Sequence, residues 1–394
     1  MTDNTPVQMT EETRQQRTAM VLNERAHDLL LGHSFAQRQI GYIHTLEIDY
    51  GESMEQRTLL EVEVAAEKKR QKSSTAHHKY RAQASKQLHQ VIEAAMHKQL
   101  EDIDSVIHET IGIQDSVPAI LDILAVRSAS VGRLEPLVKD LSWLGRELVA
   151  FVNLPFYRKQ RNKHTSVQVD NPLLALRYIG LDNLKFVVPT FAVRHWMPHS
   201  TEPFPLLKRR LRDNSMACAI AAQELAKLNG VNEVHAFTLG MLLDVGKIAL
   251  VRIYLRIFEL VWQRQVTKAR DEQKKDLHTA LLELKPDPLF LSTLLNKQSM
   301  KVTATVIEKM AFRYLPFNAV MQQLITPLAK NDEYLPLTKV ILKARCYAQY
   351  LSLNEHQLVE NDETERWFAH FDFTKEELDQ LAKCNFDRFH IQIN

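Results

Sequence analysis

From Met54 to Ile107 the chain contains neither proline nor glycine. A run of that length without a breaker, rich in Gln, Glu, Lys and Ala, has little choice but helix, as one long element or two. Within it Leu88, Val91, Ile92, Ala95, Met96, Leu100, Ile103 and Ile107 recur at steps of three and four, one apolar stripe of a helix. Such a stripe needs a partner, either the next domain or another copy of the chain. Ser73-Ser74-Thr75 is the expected break, because hydroxyl side chains compete for the backbone there. The whole chain of 394 residues has 10 Gly and 14 Pro, so the tight turns of a many-stranded sheet are scarce and the expected class is all-α.

A second unit opens near Gly112, where Gly112 and Pro118 interrupt the pattern before Ala119-Ile120-Leu121 resumes it. Short helices are expected to follow, punctuated by Pro136, Pro155, Pro172, Pro189 and the stretch from Pro198 to Pro205. Ser215 to Leu228, with Asn229-Gly230 behind it, reads as a capped helix, since glycine takes the left-handed conformation cheaply. His235 to Trp262 is strongly apolar and reads as the central buried helix or helix pair. Trp367, Phe368, Phe371 and Phe373 near the C-terminus read as a helical cap packed on the core. The expected organisation is an N-terminal helical extension over 1–110, a central domain over 111–350 and a C-terminal helical cap over 351–394.

Composition excludes several functions. Net charge is +2, from 50 Lys and Arg against 48 Asp and Glu, which gives no global field toward nucleic acid or membrane. Cys218, Cys346 and Cys384 are far apart and form no CxxC pair, and free thiols fit a reducing compartment. The polar first residues lack the apolar core of a signal peptide. The most apolar stretch, Leu239 to Leu255, carries Asp244, Lys247 and Arg252. A cytoplasmic protein without a membrane span is expected. Three basic runs stand out: Lys68-Lys69-Arg70 with Lys72, Lys79 and Arg81; Arg158, Lys159, Arg161 and Lys163; and Lys208, Arg209, Arg210 and Arg212. They lack interleaved aromatics and read as solvated faces, so nucleic acid is not an expected partner. His77-His78 point to different sides of a helix, and His97 with Glu101 lacks a third ligand, so no structural metal is expected. No P-loop, GxGxxG, GxSxG or HExxH is present.

Gly240-Met241-Leu242-Leu243-Asp244-Val245-Gly246-Lys247 resembles the Gly-Leu-Leu-His-Asp-Ile-Gly-Lys signature of the HD superfamily. In those hydrolases a His-Asp pair, an upstream His and a downstream Asp hold a divalent metal that activates water. Leu243 stands at the histidine's place and has no lone pair to offer. Arg212-Asp213-Asn214-Ser215 is similar to the upstream element, with Asn214 in place of the first His. Lys343-Ala344-Arg345 is similar to the downstream element, with Arg345 at the ligand position. Of four ligand positions, only Asp244 keeps a carboxylate.

Loss of ligands on a retained scaffold resembles the HD-related output domain, HDOD. Val117-Pro118-Ala119-Ile120-Leu121 resembles its opening proline-containing segment, Val138-Lys139-Asp140-Leu141 the helix before its turn, and Ala175-Leu176-Arg177-Tyr178-Ile179-Gly180-Leu181 its helix-to-helix corner. Phe151-Val152-Asn153-Leu154-Pro155-Phe156-Tyr157 is similar to its Leu-x-Asn-Ser-x-Phe-Tyr element, with Leu154 for the serine and Pro155 behind it. The resemblance implies an all-α HD-like domain, no cofactor, and a non-catalytic role in bacterial signal transduction through partner contacts. The N-terminal stripe is then the expected surface for a signalling partner or self-association. The alternative is a divergent metal-dependent phosphohydrolase acting on nucleotides or cyclic dinucleotides. It requires a substitute ligand set around Asp244, to which His235 is the nearest imidazole in sequence. The local readings are that Asp244 pairs with Lys247 three positions on, that Gly246 admits a neighbouring helix, and that Asn153 ties a turn.

Overall fold

A computed structural model of the chain describes residues 10–40, 61–157, 168–326 and 333–386, with side chains from 79 onward in the second of these spans. Among the described residues it is all-α, with no strand. Helix α1 (Glu11–Leu31) starts at Thr10, whose hydroxyl accepts from the Thr13 N–H. Helix α2 (Glu61–Glu101) runs unbroken. The break expected at Ser73-Ser74-Thr75 does not occur: three hydroxyl residues cost only tenths of a kcal/mol each, about what good helix formers on either side return.

A π-helical turn, Val106–Ile111, ends at Gly112 with φ 84° and leads into the second unit. There follow α3 (Ser116–Ala125), α4 (Val131–Asp140), α5 (Ser142–Val152), α6 (Pro172–Ile179) and α7 (Leu181–Trp196). Pro172 begins α6 as expected, but Pro136 and Pro189 lie inside α4 and α7 instead of between helices. Each proline removes one backbone bond, and the apolar faces around them are buried, Leu134 and Val138 in α4 and Val187, Val188 and Phe191 in α7. Gly180 forms the α6–α7 corner with φ 75° and open space where a Cβ would stand.

Helix α8 (Leu207–Leu228) begins eight residues before the expected Ser215, and its end matches expectation: Gly230 takes φ 65° and the Val231 N–H returns to the Ala226 carbonyl. The expected central element is a pair, α9 (Glu233–Leu242) and α10 (Val245–Asp271). By length and composition 233–271 could cross a membrane, yet 89% of its most apolar window is buried inside the fold. The chain closes with α11 (Lys275–Leu282), α12 (Pro288–Lys309), α13 (Phe317–Ile325), α14 (Pro336–Glu355), α15 (Asn361–His370) and α16 (Lys375–Ala382).

One apolar core extends from Leu30 in α1 to Leu381 in α16, so it crosses all three expected segments. The stripe of α2 is part of it except for Val91, which is exposed. Leu88, Ile92, Met96 and Ile107 are almost wholly buried, and α2 packs against α10 and α11 of the same chain. The stripe therefore finds its partner within the chain, and it is the opposite face of α2 that meets solvent. Trp367, 1% exposed, joins Leu22, Leu29 and Leu353 in a smaller cluster between α1, α14 and α15, with Phe368, Phe371 and Phe373 at its edge.

Candidate functional site

The motif Gly240–Lys247 straddles the break between α9 and α10, and its two glycines fix where that break sits. A Cβ on Gly240 would stand 2.7 Å from the Ala219 Cα, and one on Gly246 would stand 2.2 Å from the Ser299 carbonyl oxygen. Hydrogen in place of Cβ lets α9 lie against α8 and α10 against α12 at backbone contact. Thr303 of α12 locks the break: its hydroxyl donates to the Leu243 carbonyl and accepts from the Gly246 N–H, both at 3.0 Å.

Leu243 closes α9 with its side chain in the apolar core, 4% exposed. Asp244 follows, 5% exposed, and a carboxylate so buried must be neutralised. Lys247, itself 4% exposed, places its Nζ 2.8 Å from Oδ1. Asn214 of α8 donates from Nδ2 to Oδ2 at 2.6 Å. Burial alone would raise the Asp244 pKa. The Lys247 charge, the hydrogen bonds from Lys247 and Asn214, and the Arg345 charge outweigh it and hold the carboxyl below its ordinary range. Both carboxylate oxygens thus face donors that belong to the protein.

Helix α1 completes the site, from a segment where the sequence showed no motif. The Asn23 Oδ1 accepts from the Arg345 guanidinium at 2.6 Å and from the Gln349 amide at 3.1 Å, and its Nδ2 donates to Asn296 at 2.9 Å. His27, 1% exposed, donates from Nδ1 to the Asn23 carbonyl at 2.7 Å. Its Nε2 has no hydrogen-bond partner among the described residues. Burial and the charges of Lys247 and Arg345 push the His27 pKa well below 6.5, so the ring is neutral. Cys218 of α8 also feels Asp244, and burial raises its thiol to about 12, which leaves it protonated and unreactive.

The four degenerate positions therefore converge, and the imidazole near Asp244 is His27, brought in from α1; His235, on α9, has its pKa lowered by burial alone. The residues do not fit an HD-type metal. Lysine and arginine offer no lone pair, Leu243 has none, and Asn214 turns its N–H toward Asp244. Among the described residues no group of three or more His, Cys, Asp or Glu could hold a metal ion.

The remaining motif residues build local structure. Asn153 directs its amide to the Val149 and Val169 carbonyls, at 3.0 and 2.6 Å, and accepts from the Val169 N–H at 3.0 Å. The basic run Arg158 to Lys163 lies outside the described residues. Tyr157 is buried beside Phe151, ring centroids 4.5 Å apart, while Phe156 is 55% exposed. Lys68, Lys69, Arg70 and Lys72 lie on α2 where side chains are not described. Arg210 is half-buried and donates to the Leu29 carbonyl at the end of α1, while Arg209 and Arg212 pair with Asp213.

Residues 113–287 match the family model of the HDOD domain. That span holds Asn153, Gly180, Asn214 and the Gly240–Lys247 motif; α1 and Arg345 lie outside it. A crystal structure from Shewanella amazonensis SB2B, provisionally named a phosphohydrolase, is similar over 71% of this chain and 93% of that one, at 18% identity and a TM-score of 0.43. No curated protein matches the chain.

Proposed function

We propose that this chain is a non-catalytic regulatory protein of bacterial signal transduction, acting in the cytoplasm through protein contacts. One observation carries the reading: Asp244, the last ligand-type residue of the HD motif, is bound by Lys247 and Asn214 with Arg345 beside it. A hydrolase of this class needs a dication to lower the pKa of water. Here fixed cations of the chain hold the carboxylate in a packed interior, where they stabilise structure and activate nothing. The HDOD match supports the reading, since it covers the scaffold around the motif. The test is hydrolysis of phosphomonoesters, nucleotides and cyclic dinucleotides with added manganese or magnesium, alongside metal analysis of protein purified without chelator. The reading expects no turnover and substoichiometric metal. Hydrolysis that Asp244→Asn abolishes, with near-stoichiometric metal, overturns it in favour of a divergent phosphohydrolase.

A further inference from the structure

The outer face of α2 and the face of α12 beside it enclose a groove. It consists of two adjoining cavities of about 520 and 490 Å³ that share Lys297 and Gln298. On the α2 side it runs from Ala82 to Glu101, five turns or about 28 Å. Its upper floor is apolar, with Phe290 half-buried against the His89 ring and Leu289 51% exposed.

Its charges are arranged in a pattern. The α12 wall is basic, with Lys297 and Lys301 one turn apart. The α2 wall is basic at Lys86 and acidic at Glu93 and Glu101. All five side chains are exposed, and none has an ion-pair partner among the described residues. Elsewhere on these helices Arg81 pairs with Glu283, and Lys309 with Asp104.

The geometry points to a second copy of this chain as the occupant, in a two-fold dimer whose α2 helices run antiparallel, each in the other's groove. A two-fold contact must be self-complementary, and this wall is. With the axis between Glu93 and Ala94, Lys86 faces the partner's Glu101 and Glu101 faces the partner's Lys86. Gln90 faces the partner's His97, and the small Ala94 faces the partner's Glu93 at the centre, where the two helices can approach. The partner's Glu93 comes to rest beside Lys297 and Lys301, so the basic α12 wall gains the acid it lacks. The buried stripe of the same helix holds α2 rigid, which removes the ordering cost a free helix would carry. This inference is independent of the catalytic question, since no groove residue touches Asp244.

Sedimentation equilibrium of the full-length chain over a hundredfold concentration range tests it. The expected result is a dimer that weakens with added salt. Glu101→Lys should weaken it at least roughly tenfold, because it sets like charges face to face twice over. The double variant Lys86→Glu with Glu101→Lys should restore wild-type association, with circular dichroism of all three proteins unchanged. A monomer at every concentration overturns the proposal. So does a dimer indifferent to Glu101→Lys, or one that the double exchange fails to restore.

Discussion

Asp244 and Lys247 are each almost wholly buried, and neither has another opposite charge as close. Removing one strands the other. Asp244→Ala should therefore cost about 3–5 kcal/mol of stability in urea unfolding, and Asp244→Asn less, because an amide still accepts a hydrogen bond from Lys247. A loss under about 1 kcal/mol would mean that the pair is more solvated than its packing indicates. His27 gives the pH dependence. Its folded pKa is depressed, so the unfolded chain takes up the proton first. Its contribution is complete above about pH 6.5 and is lost as pH falls toward the folded pKa, at up to about 1.4 kcal/mol per pH unit. Unfolding free energies of wild type and His27→Leu, measured from pH 7 down to 5, should show a shallower decline in the variant. At this scale the sequence was partly legible. The Asp244–Lys247 pair follows from a spacing of three on a helix, and the lost ligand positions from motif residues. The Asn23–Arg345 hydrogen bond and the Lys247 charge that His27 feels join positions more than two hundred residues apart, and no local pattern encodes that.

At the scale of elements, glycines decide how closely helices approach. A methyl group on Gly246 would meet the Ser299 carbonyl and the Thr303 N–H, both backbone atoms that cannot rotate away. Gly246→Ala should force α10 from α12 at a cost of about 3 kcal/mol. Gly180→Ala meets no atom within 4 Å but must adopt φ 75° with ψ 154°, a region almost reserved for glycine, so its smaller cost, about 2 kcal/mol, is purely conformational. Thermal unfolding of the two variants should rank them in that order; equal shifts would contradict the packing argument. Helix identity and periodicity were readable here, because the apolar stripe of α2 and the capped end of α8 are local features. Helix boundaries were less so. Ser73–Thr75 and the prolines at 136 and 189 carry local penalties that the surrounding helix and its packing outweigh.

Across the whole molecule, α1 acts as a clamp from outside the segment that matches the HDOD model. Arg25 donates to both carboxylate oxygens of Glu363 and to the Leu358 carbonyl, and Asp28 receives Ser292, Arg38 and Gln39. These bonds tie α1 to α12 and α15, over the site where Asn23 and His27 stand. Arg25→Ala should cost about 2–4 kcal/mol, discounted from a fully buried pair because Glu363 retains some solvent. Since one core runs through all segments, the loss should lower a single cooperative transition; a separate early transition for α1 would contradict that. The all-α class and the HDOD likeness were visible in the sequence, whereas the placement of α1 over the motif was not, because it depends on tertiary packing alone. The central claim is that the chain's own cations occupy the place of the metal. The most direct test is the melting temperature of the wild-type chain titrated with manganese, with Asp244→Asn beside it. A ligand that binds only the folded state raises that temperature with concentration. The account predicts no saturable shift in either protein; a saturable rise in wild type that Asp244→Asn abolishes would contradict it.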